Sequence, residues 1–218
     1  MAGHPRAASA DSVLALMLVV GLTGGIGSGK STVSRLLGER GAVIVDADVA
    51  ARRVVEPGGP AYQAVVDRFG PGILAPDGAI DRPALAAIVF SDPAARADLE
   101  AITHPAVGVL INEQLAAEAG TDHVVILDVP LLVESGRTGT GGVIVVDCPP
   151  ETAIARLVEQ RGMDEADARR RVAAQVSREE RLAHADLVID NGGSPEALDR
   201  QVDAAWAWIQ GLRAAAEL

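Results

Sequence analysis

One cysteine, one lysine and almost no aromatic side chains distinguish this 218-residue chain. With Cys148 alone there is no partner for an intramolecular disulfide and no set of thiolates for a zinc site, so the chain suits a reducing compartment and is expected in the cytoplasm. Aromatic residues make up 2% of the chain against 49% hydrophobic residues, so the core must be built from Val, Leu, Ile and Ala. That composition suits helices packed on a buried parallel sheet. Cations are scarce as well: 19 Lys+Arg stand against 30 Asp+Glu, a formal net charge of -11. Binding a nucleic acid or an anionic membrane needs clustered positive charge, so neither is expected as a partner, and any phosphate site must be local. No apolar run approaches the roughly 20 residues needed to cross a bilayer.

Arg6 followed by the apolar stretch from Val13 to Val20 superficially resembles a secretory signal, but that stretch runs straight into a glycine loop that cleavage would destroy. Residues 1–16 are therefore expected to be a disordered extension upstream of a start at Met17, and 17–218 one domain, too short for two. Apolar β-branched runs at 16–23, 42–48, 123–129, 142–147 and 186–190 read as strands covered on both faces. Helical patterns follow at about 30–40, 150–161, 165–183 and 195–214, the last opening with Ser194-Pro195, a cap before a first-turn proline. The alternation predicts a five-stranded parallel α/β sheet flanked by helices. Between the second and third strands lie some 75 residues with helical stretches near 60–70, 82–90 and 93–119, more than one crossover needs. They are expected to form a helical insertion at about 49–120 that binds substrate, leaving 17–48 and 121–218 as the core.

Gly24 to Ser31 reads G-x-x-x-x-G-K-S, strand before and helix after, the pattern of a phosphate-binding P-loop. Glycines let successive amides converge on phosphate oxygens, and the helix adds its positive end. ATP contacts are expected from Gly25, Ile26, Gly27, Ser28, Gly29, Lys30, Ser31 and Thr32, with the Ser31 hydroxyl on Mg²⁺. The chain uses arginine at 18 of its 19 cationic positions, yet lysine here. A compact ammonium fits between phosphates where a planar guanidinium fork is too wide.

Asp46 and Asp48 close the second strand, where α/β proteins bind ligands. One of them is a candidate to take or orient the proton of an attacking hydroxyl, although Asp48 could equally cap the Ala-rich helix that follows. Asp128, after "VVIL", reads as an acid that holds a metal's water shell. Seven arginines from Arg156 to Arg181 are interleaved with acids, which describes a solvated helical pair. One or two of them are expected to lend charge to a transferring phosphoryl group. His104 stands alone, without neighbours of ligand type.

Together the blocks "GLTGGIGSGKSTV", "DADVAAR", "LEAITHPAV", "DVPLLVE", "RLVEQRG" and "ADLVIDNGGS" resemble, in order, the signature blocks of the dephospho-coenzyme A kinase family, covering nearly everything from Met17 on. The resemblance implies a nucleoside-monophosphate-kinase-like P-loop fold with a helical substrate domain and a lid at about 156–181. It implies Mg²⁺-dependent transfer of the γ-phosphoryl group of ATP to the ribose 3′-hydroxyl of dephospho-CoA, the last step of coenzyme A synthesis, by a minimal, monomeric or weakly oligomeric enzyme. It makes Asp48 the catalytic base beside Lys30 and the lid arginine Arg156, and puts Asn191 with Gly192 in the adenine loop. Asp46, Arg52, His104 and Asp128 fall on the acceptor side. "ESGRTGTGG" at 134–142 departs from the family pattern and leaves Glu134 without a role. A GTPase switch is disfavoured, because guanine-selective switches usually carry an N-K-x-D base-reading motif, which needs a second lysine. Another P-loop kinase acting on a nucleoside or nucleotide stays open.

Overall fold

The computed structural model describes residues 17–129 and 140–216. Five parallel strands form one sheet: β1 (Leu18–Gly24), β2 (Val43–Asp46), β3 (Val124–Asp128), β4 (Val143–Asp147) and β5 (Leu187–Asp190), in the order β2-β3-β1-β4-β5. The chain leaves β1 for β2 and β3 on one side and returns for β4 and β5 on the other. The switch point, where open α/β sheets bind ligands, therefore lies at the carboxyl end of β1.

Both faces of the sheet are apolar, as the unbroken runs predict. On β3, Val124 and Ile126 join one core with α1 (Lys30–Glu39) and α9 (Pro195–Ala216), while Val125 and Leu127 join another with α2 (Ala47–Arg53) and α5 (Pro93–Glu118). The two-residue period of a strand sends successive side chains to opposite layers, and each is covered by helices. Each fully buried Leu, Ile or Val contributes roughly 1.5–3 kcal/mol.

α3 (Tyr62–Phe69), a 3₁₀ turn at Pro71–Ile73 and α4 (Arg82–Ser91) lie between α2 and α5. With the first turns of α5 they close a separate apolar cluster around Val65, Ile73 and Leu85. A fourth cluster joins Ile154 and Leu157 of α6 (Pro150–Arg161) to Ala168 of α7 (Glu165–Ala173), with Ile26 of the glycine loop packed against it.

The structure departs from the sequence reading in two places. The helix expected over 165–183 is broken into α7 and α8 (Arg178–Ala183), because Ser177 turns its hydroxyl to accept from Glu180 N (3.0 Å) and starts a new helix there. The second strand stops at Asp46 rather than running through Asp48, since the Asp46 carboxylate accepts from Asp48 N (2.8 Å) and Val49 N (3.1 Å) and caps α2. The two acids therefore do not share a strand face, and the cap is Asp46, not Asp48. The proposed extension at 1–16 and Glu134 lie outside the described residues.

Candidate active site

β1 ends at Gly24 and α1 begins at Lys30, so the glycine loop bridges a strand end and a helix N-terminus at the switch point. Gly27 (φ 77°) and Gly29 (φ 88°) both take the left-handed region, and neither has room for a side chain. A Cβ on Gly27 would stand 2.7 Å from Ala153 O, and one on Gly29 would run into the Asn191 amide. That amide is part of the loop's brace: Asn191 Nδ2 donates to Ser28 O (2.8 Å), Arg156 Nη1 donates to the same oxygen (3.3 Å), and Arg156 Nη2 donates to Asn191 O (2.7 Å). The buried Ser28 hydroxyl has no partner among the described residues. Gly29→Ala is accordingly expected to cost about 2–3 kcal/mol, combining the left-handed backbone penalty with displacement of Asn191. Thermal melting should fall by about 5–10 °C for a chain of this size; an unchanged melting temperature would mean that the brace is not rigid.

Every strand except β1 ends in aspartate, and each of the four carboxylates has different work. Asp46 caps α2. Asp128, 1% exposed, takes the Lys30 ammonium, while burial pushes its carboxyl above the ordinary carboxylate range and Lys30 pulls it back. Asp147, 7% exposed, accepts a two-nitrogen fork from Arg178 (2.6–3.1 Å). Asp190 accepts from Gly192 N (2.8 Å) and shapes the turn that carries Asn191. Asp46 and Asp128 are partners in the register of β2 and β3, so acid and P-loop lysine share one end of the sheet.

Asp48, in the first turn of α2, is exposed, and no described residue engages its carboxylate. Arg52 lies one helical turn further on the same helix and is also exposed. His104, exposed on α5 beside the in-helix Pro105, has no bond to the loop or to α2. Ser31 is exposed at the start of α1. Among the described residues no cluster of three His, Cys, Asp or Glu could hold a metal, and no helix is long and apolar enough to cross a membrane.

The sequence reading missed the turn at 174–177. Gln175 Oε1 accepts from Ile26 N (2.8 Å), docking the α7–α8 turn on the glycine loop, and Arg178 holds the start of α8 on Asp147. Between loop and turn is a cavity of about 250 Å3 lined by Gly25, Ser28, Cys148, Gln175 and Arg181 among others. A lone glutamine in an Ala-rich stretch gives no signal by composition. Arg181 was one of seven interchangeable-looking arginines until packing separated them.

Comparison with known proteins agrees with this geometry. Residues 18–196 match the family described as CoaE: dephospho-CoA kinase. The dephospho-CoA kinase of Streptomyces avermitilis is 57% identical over 192 residues, 88% of this chain and 93% of that one. Among solved structures, the Thermus thermophilus protein TT1252 superposes with a TM-score of 0.76 at 36% identity, covering 88% of this chain and 98% of that one. Dephospho-CoA kinase from Campylobacter jejuni superposes with a TM-score of 0.64 at 26% identity, covering 88% and 96%. A braced P-loop at the switch point of a five-stranded parallel sheet, matched along almost the whole described chain, places the protein in the dephospho-CoA kinase family.

Proposed function

We propose that the chain transfers the γ-phosphoryl group of ATP to the ribose 3′-hydroxyl of dephospho-CoA, releasing ADP and coenzyme A. The observation that carries this reading is the division of labour in "DAD": Asp46 caps α2, and the Asp48 carboxylate is exposed and engaged by no described residue at the carboxyl edge of the sheet. In the reaction Asp48 accepts the proton as the acceptor oxygen forms its bond to phosphorus, and the β–γ bridging bond breaks with its electron pair going to ADP. The amides from Gly25 to Thr32 hold the triphosphate, Lys30 exchanges Asp128 for phosphate oxygens, and Arg156, anchored on Ser28 O and Asn191 O, lends charge beside the loop. Asn191 borders the adenine. Arg52, on the helix that carries Asp48, and His104, on α5, belong to the acceptor side, with 49–120 as the substrate-binding unit and 156–181 as the lid.

The oxygen donors at hand suit Mg²⁺: the exposed Ser31 hydroxyl would be a ligand, and Asp128, once Lys30 has moved to the phosphates, would hold the ion's water shell. Bound there, the ion would neutralise charge developing on the phosphates. The acidic balance of the chain supports small-molecule partners rather than nucleic acid, and a monomer or weak homo-oligomer acting in the cytoplasm completes the reading.

ADP release coupled to a reporter tests the assignment across dephospho-CoA, adenosine, uridine and AMP. Turnover with dephospho-CoA alone is expected; strong turnover with a nucleoside and none with dephospho-CoA would replace the acceptor while leaving the phosphoryl chemistry intact.

A further inference from the structure

The arginines between 156 and 181 are not equivalent once their partners are known. Arg169 is shared between Glu151 and Glu165, Arg170 and Arg171 both pair with Asp167, Arg178 is forked on Asp147, and Arg156 donates to two backbone carbonyls. Arg181 has no acid or carbonyl partner among the described residues, although it is only partly exposed. It lies directly over the glycine loop: a methyl group in place of a Gly25 hydrogen would stand 3.1 Å from Arg181 Nη2 and 3.2 Å from its guanidinium carbon. A cation held against a ring of phosphate-binding amides without a counter-charge is electrostatically costly unless an anion is to come between them. The two contacts that put it there are already described. Gln175 Oε1 takes the Ile26 N–H, and the Arg178 fork fixes the first residue of α8, on which Arg181 lies three positions later.

We propose that Gln175 is a positioning residue that docks the α7–α8 turn on the Ile26 amide and thereby holds Arg181 over the glycine loop, where its guanidinium contacts the terminal phosphate of the bound nucleotide. This rests on the phosphoryl transfer proposed above, and it names a cation for that site beyond Lys30 and Arg156. Gln175 acts only through Arg181, so its loss costs no more than the loss of Arg181 itself. Loss of the Gln175 side chain leaves α8 held by the Arg178 fork alone and lets Arg181 spend time away from the loop. Loss of Arg181 leaves the turn docked but carrying no charge.

That dependence gives a test which needs no acceptor. ATP and ADP affinities are measured by titration calorimetry for the parent chain, Gln175→Ala, Arg181→Ala and the double variant. Contact with the terminal phosphate predicts that Arg181→Ala lowers the preference for ATP over ADP by about 5- to 10-fold, in line with one exposed-site charge-assisted contact. Gln175→Ala is expected to lower it by about 3-fold, and the double variant to match Arg181→Ala alone, since coupled residues are not additive. In the dephospho-CoA assay, kcat should fall by about 30- to 100-fold for Arg181→Ala with the KM for dephospho-CoA little changed. An unchanged ATP-to-ADP preference in Arg181→Ala, or losses that multiply in the double variant, would overturn the proposal. Absence of turnover in the parent chain would instead count against the acceptor assigned above and leave the calorimetric result to decide this one. Should Gln175→Ala melt early, Gln175→Asn keeps the amide one methylene short of Ile26 N and serves in its place.

Discussion

Lys30→Arg is expected to give a folded chain whose turnover has dropped by about 10²- to 10³-fold, the usual loss when one preorganised charge no longer meets the transition state. The fold survives because the buried partner keeps a cation. Asp128 is 1% exposed, and removing the ammonium altogether would strand its carboxylate, a change that costs about 3–5 kcal/mol in buried pairs. An arginine avoids that cost by pairing with Asp128 at least as well, through two parallel N–H donors. The same strength is what stops catalysis. Lys30 has a 15% exposed side chain at the first position of α1, hemmed in between the loop and β3, and its reaction needs a point charge that can leave the carboxylate and settle between phosphates. A guanidinium fork held by Asp128 stays where it is. Melting within about 4 °C of the parent, with kcat collapsed, is the expected pair of results. Near-normal turnover would mean that the single lysine among 19 cationic residues owes nothing to shape.

The parts of this fold that were legible in the sequence are those where one local rule acts alone. All five strands were predictable as short apolar, β-branched runs between turn signals; β3 illustrates the doubly covered kind, with Val124 to Leu127 alternating between two helical layers, while β5 at the sheet edge leaves Val188 exposed. The P-loop was legible because its glycines are set by backbone geometry, and Gly27 and Gly29 do take positive φ. Asp46 and Asp48 were harder. Identical in chemistry and two positions apart, they were separable only by which one the chain turned into a cap, and a β-strand continued by two residues would have looked equally reasonable. The segment from α6 to α8 was least legible of all. Its arginines differ only in their partners: Arg169, Arg170 and Arg171 have acids within four residues, whereas Arg178 takes Asp147 at the end of β4 and Arg156 takes carbonyls of Ser28 and Asn191, far away in sequence. Long-range docking of a turn by a single glutamine leaves no periodicity to read.

Asp48→Asn tests whether the second acid of "DAD" is the base or only an exposed acid in the first turn of α2. As the group that takes the acceptor proton, Asp48 should be worth about 10²- to 10⁴-fold in kcat, since an amide of the same shape can orient a hydroxyl but cannot hold its proton. Stability should move by less than about 0.5 kcal/mol, because the side chain is exposed and engaged by no described residue, and the helix is already capped by its neighbour. The KM for ATP should stay within about 3-fold, because nothing ties Asp48 to the glycine loop. Asp46→Ala gives the opposite pattern and so acts as the control: loss of the bonds from Asp48 N and Val49 N costs about 1 kcal/mol of stability, the price of an N-cap. An Asp48 that only favours the positive end of α2 would spare turnover, whereas a base lowers turnover and spares stability. If Asp48→Asn turned over at the parent rate, the proton would have to leave by another route, and the unengaged carboxylate at the tip of β2 would lose its claim to the chemistry.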